Sequence, residues 1–204
     1  MELQEALAQV SEIRLQIARS ESFRGYRSVT AAFSALTAVV AAALQSTVVP
    51  VPQSDPQSYL LLWVTAAIVC AGATAIEMTV RCRRSDSPTD SRTTWMAVEQ
   101  FLPCLIAGGF VTFVISLRAL DCLWMLPGFW GVLFSLGIFA SRRLLPRAVI
   151  WPAFYYLAGG VLTLALAQGP WAFSPWAMGL TFGGGQALTA LVLYFTLERD
   201  HGGS

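Results

Sequence analysis

The chain contains no lysine and one histidine, and only 12% of its 204 residues are charged. A soluble domain carries about 25% charged residues. Half the usual solubilising charge is missing, which excludes water as the main solvent for this surface. The lone histidine, His201, excludes a haem or metal held by paired intramembrane histidines of one chain. Four cysteines (Cys70, Cys82, Cys104 and Cys122) are scattered with no C-x-x-C pair, so neither a disulfide framework nor a thiolate metal site is expected. There is no H-E-x-x-H, no G-x-S-x-G and no Walker loop. The apolar stretches hold no paired aspartates and no regular charge series of the voltage-sensor kind. An enzyme is therefore not expected, and no cofactor or metal is expected either.

What is present is apolar. Hydrophobic residues make up 55% of the chain, and mean hydropathy is +0.59. A helix crossing the hydrocarbon core needs about 20 mostly apolar residues. Six stretches meet this, at about 29–49, 59–80, 97–117, 122–140, 148–167 and 175–197. They are continuous rather than alternating, which favours helices over a closed barrel. The expected fold class is an all-α integral membrane protein. Its six-helix membrane domain covers 28–198, after an amino-terminal segment 1–27 and before a tail 199–204.

Arginine sets the expected orientation. Arg14, Arg19, Arg24 and Arg27 precede the first span; Arg81, Arg83, Arg84 and Arg92 lie between the second and third. Arg142, Arg143 and Arg147 separate the fourth and fifth, and Arg199 follows the sixth. Only Arg118 falls on the other side. Basic residues are retained in the cytoplasm, so both termini are expected there. Trp63, Trp124, Trp171 and Trp176 read as an aromatic belt on the arginine-poor side, with Trp95 and Trp151 near the other. Pro103 and Pro152 read as first-turn residues of spans three and five, where a missing N–H costs little. The first span reads as retained rather than cleaved, because it is long and a segment with four glutamates precedes it.

Residues 2–20 read as an amphipathic helix. Leu3, Leu7, Val10, Ile13 and Ile17 recur at three- and four-residue steps, a stripe that must be buried against something. It lies on the membrane or under the bundle, or it engages a partner helix as a short coiled-coil seam.

Small residues four apart let helices approach closely in lipid. Gly108–Thr112–Ser116, Gly159–Thr163–Ala167, Ala67–Ala71–Ala75 and Gly179–Gly183 fit that rule. I-A-G-G-F-V-T at 106–112 and L-A-G-G-V-L-T at 157–163 also make 97–140 and 148–197 look like a duplicated, parallel helical hairpin.

Charges inside lipid are functional candidates by default. Glu77 stands about one turn inside span two, with Arg81 at the favoured i+4 position. Glu99 opens span three on the same side, where a first-turn acid suits the helix dipole. The two face each other across one hairpin in this reading. Arg118 and Asp121 read as an exposed ion pair closing the turn between spans three and four. Gln186 sits beside Gly183–Gly185, and a glycine-rich break near the midplane can mark a transporter site.

The stretch LPGFWGVLFSLGIFASRRLLPRAVIWPAFYYLAGGVLTLAL, followed by GLTFGGGQALTALVLYFTLERDHGG, resembles a bacterial family of six-span membrane proteins. Its marks are a polar amino-terminal helix, an L-P-G-x-W turn, a basic turn before the fifth span, and a glycine-rich last span ending in H-G-G. The resemblance covers about residues 20–203, best after Pro103. It implies a bacterial cytoplasmic-membrane location and supplies no established activity, since its motifs are packing signatures. Some members are encoded beside winged-helix regulators. Members often carry histidine after the glycine run, where this chain has Gln186.

Three functions fit these observations. A non-enzymatic structural or assembly subunit would have the lipid bilayer and further copies or other membrane subunits as partners, and no nucleic acid. A small transporter or channel would use Glu77 and the Gly183–Gly185 region. A sensor would bind a lipid or other apolar ligand and signal through the amino-terminal helix.

Overall fold

The computed structural model describes residues 28–84 and 88–198. The amino-terminal stripe from Leu3 to Ile17 and the tail 199–204 lie outside the described residues. Within them the chain is all-helical, and six helices are long and apolar enough to cross a membrane. They are α1 (Ser28–Val48), α2 (Pro56–Arg84), α3 (Pro88–Arg118), α4 (Leu126–Ala140), α5 (Ile150–Leu166) and α6 (Pro175–Thr196). Short 3₁₀ turns precede α4 (Leu120–Met125) and α5 (Arg147–Val149). Proline opens α2, α3 and α6, a position where its missing N–H has no helical partner to lose.

Helices α2 and α3 run further than hydropathy indicates. Arg83 lies inside α2, and α3 begins nine residues before the expected 97. Two expectations fall with that boundary. Pro103 is interior to α3 rather than in its first turn, so its ring removes the backbone bond to the Glu99 carbonyl. Glu99 stands three turns in, too far from the helix start for the dipole to act on it. Hydropathy missed both because 88–96 is polar: a helix extends past the apolar layer wherever backbone bonding continues.

The helices are unequally buried. Half of the apolar stretch of α1 is covered, and 44% of those of α4 and α6, against 11% for α2 and 6% for α3. Alanine explains the depth of α1. Its buried face is Ala31, Ala35, Ala38, Ala41 and Ala42 with Ser28, Ser34 and Gln45, and α6 lies directly on it. A second extensive interface joins α4 to α5. There a Cβ on Gly160 would come within 2.7 Å of the Val132 backbone nitrogen, and one on Gly131 within 2.9 Å of the Gly160 Cα. Backbone meets backbone at that crossing, as small residues permit in lipid.

Around this, α2 flanks α1 and α3 flanks α4, with little contact between α2 and α3. Aromatic rings fill the centre. Phe134 of α4 packs on Phe101 of α3 at 5.0 Å, Tyr156 of α5 at 4.7 Å and Phe182 of α6 at 5.9 Å between centroids. The outer surface carries exposed Leu61, Ile68, Phe110, Phe113 and Leu166, the apolar exterior that a bilayer requires.

Candidate functional site

Polar side chains inside an apolar bundle must find partners, and those partners organise two ends of this one. At the arginine-poor end, Gln45 of α1 is 2% exposed. Its Nε2 donates to the Phe173 carbonyl at 2.8 Å, and its Oε1 accepts from the Trp63 indole at 3.0 Å. Phe173 has φ 63°, a left-handed conformation that is uncommon outside glycine. The Gln45 bond and an edge contact with Tyr59, 5.0 Å between centroids, hold it there. One amide thus ties the 167–174 loop to α1 and α2. The Tyr59 hydroxyl beside this knot is buried with no hydrogen-bond partner among the described residues.

Asp55 opens α2 from outside the membrane-spanning segment. The Ser58 hydroxyl and the Ser58 amide, the latter at 3.1 Å, hydrogen-bond to its carboxyl and hold it below the ordinary carboxylate range. This is an N-cap bond to the third helical residue.

At the arginine-rich end, the Thr30 hydroxyl of α1 donates to the Glu77 carboxylate of α2. Thr30 is buried and Glu77 half-buried. Glu99 is exposed and joined to neither. The two acids expected to face each other are not bonded, because Glu77 turns toward α1.

The glycines of α6 are divided between neighbours. Gly179–Gly184 is a single π-helical stretch within a continuous helix. It presents Gly179 and Gly183 to α1, where added Cβ atoms would lie 2.8 Å from Ala42 Cβ and 3.2 Å from Val39 Cγ2. Gly184 and Gly185 face α5, where Cβ atoms would meet the Tyr155 hydroxyl at 2.2 Å and the Tyr156 ring at 2.4 Å. The Tyr155 hydroxyl donates to the Leu180 carbonyl at 2.8 Å. Wider π turns re-aim backbone groups and recur at functional positions. Gln186 follows directly, half-buried.

The paired glycine motifs do unlike work. A Cβ added to Gly159 would lie 3.1 Å from the Thr181 Cγ2, and Thr163 is buried on the same helix as Gly159. A Cβ on Gly108 would make only an ordinary 3.6 Å contact with Leu133, and one on Gly109 would face open space. Thr112 donates to the Gly108 carbonyl at 2.7 Å and accepts from the Trp130 indole at 2.8 Å.

Two further expectations are corrected. Trp63 is 2% exposed and belongs to the core, because Gln45 offers its indole N–H a buried acceptor; Trp95, Trp151, Trp171 and Trp176 remain exposed. Arg118 and Asp121 are both exposed and, among the described residues, make no ion pair. Sequence reasoning passed over Gln45, Thr30, Tyr59 and Phe173. The available signal was Gln45 itself, an amide deep in an alanine-rich span that must be satisfied by something.

No family model, no curated protein and no solved structure matches the chain.

Proposed function

We propose that the protein is a non-enzymatic subunit of a membrane assembly, docking to further copies or to other membrane subunits through the α2–α3 side. In this reading it lies in the bacterial cytoplasmic membrane with both termini in the cytoplasm, as the arginine distribution favours. The observation that carries the proposal is the outer face of α2. Ala67, Ala71 and Ala75 are all exposed, and a Cβ on the adjacent Gly72 would meet nothing within 4 Å. Lipid makes no demand for small residues four apart, whereas a closely approaching second helix does. The test is oligomeric mass in a mild detergent or native nanodisc. Species well above one 22.1 kDa chain are expected, shifted toward the monomer by Gly72→Leu. Ala71→Cys in a cysteine-free background should cross-link to its partner. A strict monomer under all these conditions refutes the proposal.

One observation favours a second reading, a small transporter or channel: the half-buried Glu77 and its Thr30 donor within two apolar helices. Intramembrane carboxylates mark ion and proton paths. The Gly183–Gly185 run adds nothing to this reading, since each glycine abuts a side chain. Flux across liposomes that Glu77→Gln abolishes is the expected signature; liposomes with the wild-type protein and no flux of protons or small ions count against it.

A further inference from the structure

The basic turn between α4 and α5 places three arginines, Arg142, Arg143 and Arg147, within six residues. All three are exposed, and among the described residues none holds an ion pair or a hydrogen-bonded side-chain partner. The chain has no acidic residue between Asp121 and Glu198, so neither α4 nor α5 supplies a counter-charge. On α3, packed against α4, the exposed Glu99 makes no ion pair with them. Beside Arg142 lies a shallow apolar depression lined by Ile138, Phe139, Leu145, Val149 and Ile150, too narrow to hold a water molecule. The turn joins two candidate membrane spans, Leu120–Arg143 and Arg147–Leu166, and so stands at the depth of lipid headgroups.

We propose that this turn is a binding site for an anionic phospholipid, its phosphate on Arg142, Arg143 and Arg147 and one acyl chain lying over the apolar surface beside Arg142. The apolar lining next to Arg142 selects an amphipathic ligand over a free anion. Three cations with no acid among them select a net negative headgroup over a zwitterionic one, whose ammonium they repel. Guanidinium groups pair with phosphate through charge-assisted, often bidentate bonds, and basic pockets between membrane helices hold anionic headgroups on the same principle.

The test uses the full chain in neutral detergent, titrated with phosphatidylglycerol, phosphatidylcholine and inorganic phosphate, with bound lipid read by native mass spectrometry and melting temperature. Phosphatidylglycerol is expected to bind more tightly than phosphatidylcholine and to raise the melting temperature. Arg142→Gln should weaken it about fivefold, and the triple Arg→Gln variant on the order of a hundredfold, with phosphatidylcholine unaffected. Ile150→Trp, which reshapes that apolar surface, should weaken both lipids. Equal binding of the two lipids by the wild-type protein overturns the proposal without recourse to any variant. So does unchanged phosphatidylglycerol binding in the triple variant, and so does effective competition by inorganic phosphate, which would mark a plain anion site.

Discussion

The indole of Trp63 and the amide of Gln45 are joined by a 3.0 Å hydrogen bond between two side chains each 2% exposed. The same amide grips the Phe173 carbonyl, so a single glutamine satisfies a donor on α2 and an acceptor on a loop 128 residues away. Removing it orphans both groups in a place water does not reach. Gln45→Leu is expected to destabilise the protein by about 1–3 kcal/mol, the range for buried groups left unpaired. A double-mutant cycle with Trp63→Phe should return a coupling of roughly 0.6–1.7 kcal/mol, as for other intramembrane hydrogen bonds. Thermal unfolding in detergent measures both; additive effects would contradict the bond.

Tyr59 offers the opposite case. Its hydroxyl is buried with no partner among the described residues, so Tyr59→Phe removes a desolvated group and no bond to them. The variant is expected to be neutral or up to about 1 kcal/mol more stable. A marked loss of stability would mean that the hydroxyl holds a bound water or ligand.

Glycines that look alike in sequence should respond differently to the same substitution. Gly185→Ala drives a Cβ to 2.4 Å from the Tyr156 ring, which Phe134 and Phe182 hold in place. Overpacking of this kind costs about 1–3 kcal/mol. Gly72→Ala, with open space around it, should leave the isolated chain unchanged or about 0.5–1 kcal/mol more stable through helix propensity. Melting temperatures of the two variants compared side by side decide the point.

Acid should weaken the start of α2. The Asp55 carboxyl is held below its usual range by the Ser58 hydroxyl and amide, so its folded pKa lies under the unfolded value of about 3.9. Its contribution is present above that unfolded value and is lost as pH falls through the folded pKa. Protection of the Ser58 amide, measured against its intrinsic exchange rate at each pH, is expected to fall below about pH 4 in the wild-type protein. In Asp55→Ala that protection should be low at every pH. A Ser58 amide whose protection is indifferent to acid would remove the cap from the account.

The amino-acid sequence by itself determined that this is a helical chain with six apolar spans, because backbone groups in hydrocarbon must be satisfied within each helix and length and hydropathy are local properties. It could not assign the small residues to their neighbours. Gly183 meets α1, Gly185 meets α5 and Gly72 meets nothing, yet each stands in an equivalent local setting of small and apolar residues. Only the tertiary structure decided this, by placing α1 against α6 and leaving one face of α2 uncovered. The same holds for the polar groups. Trp63 has the position of a belt residue along the chain, and Glu77 that of a partner for Glu99. Their partners became Gln45 and Thr30, because a buried donor or acceptor takes the partner that helix packing brings within reach, whatever its distance in sequence.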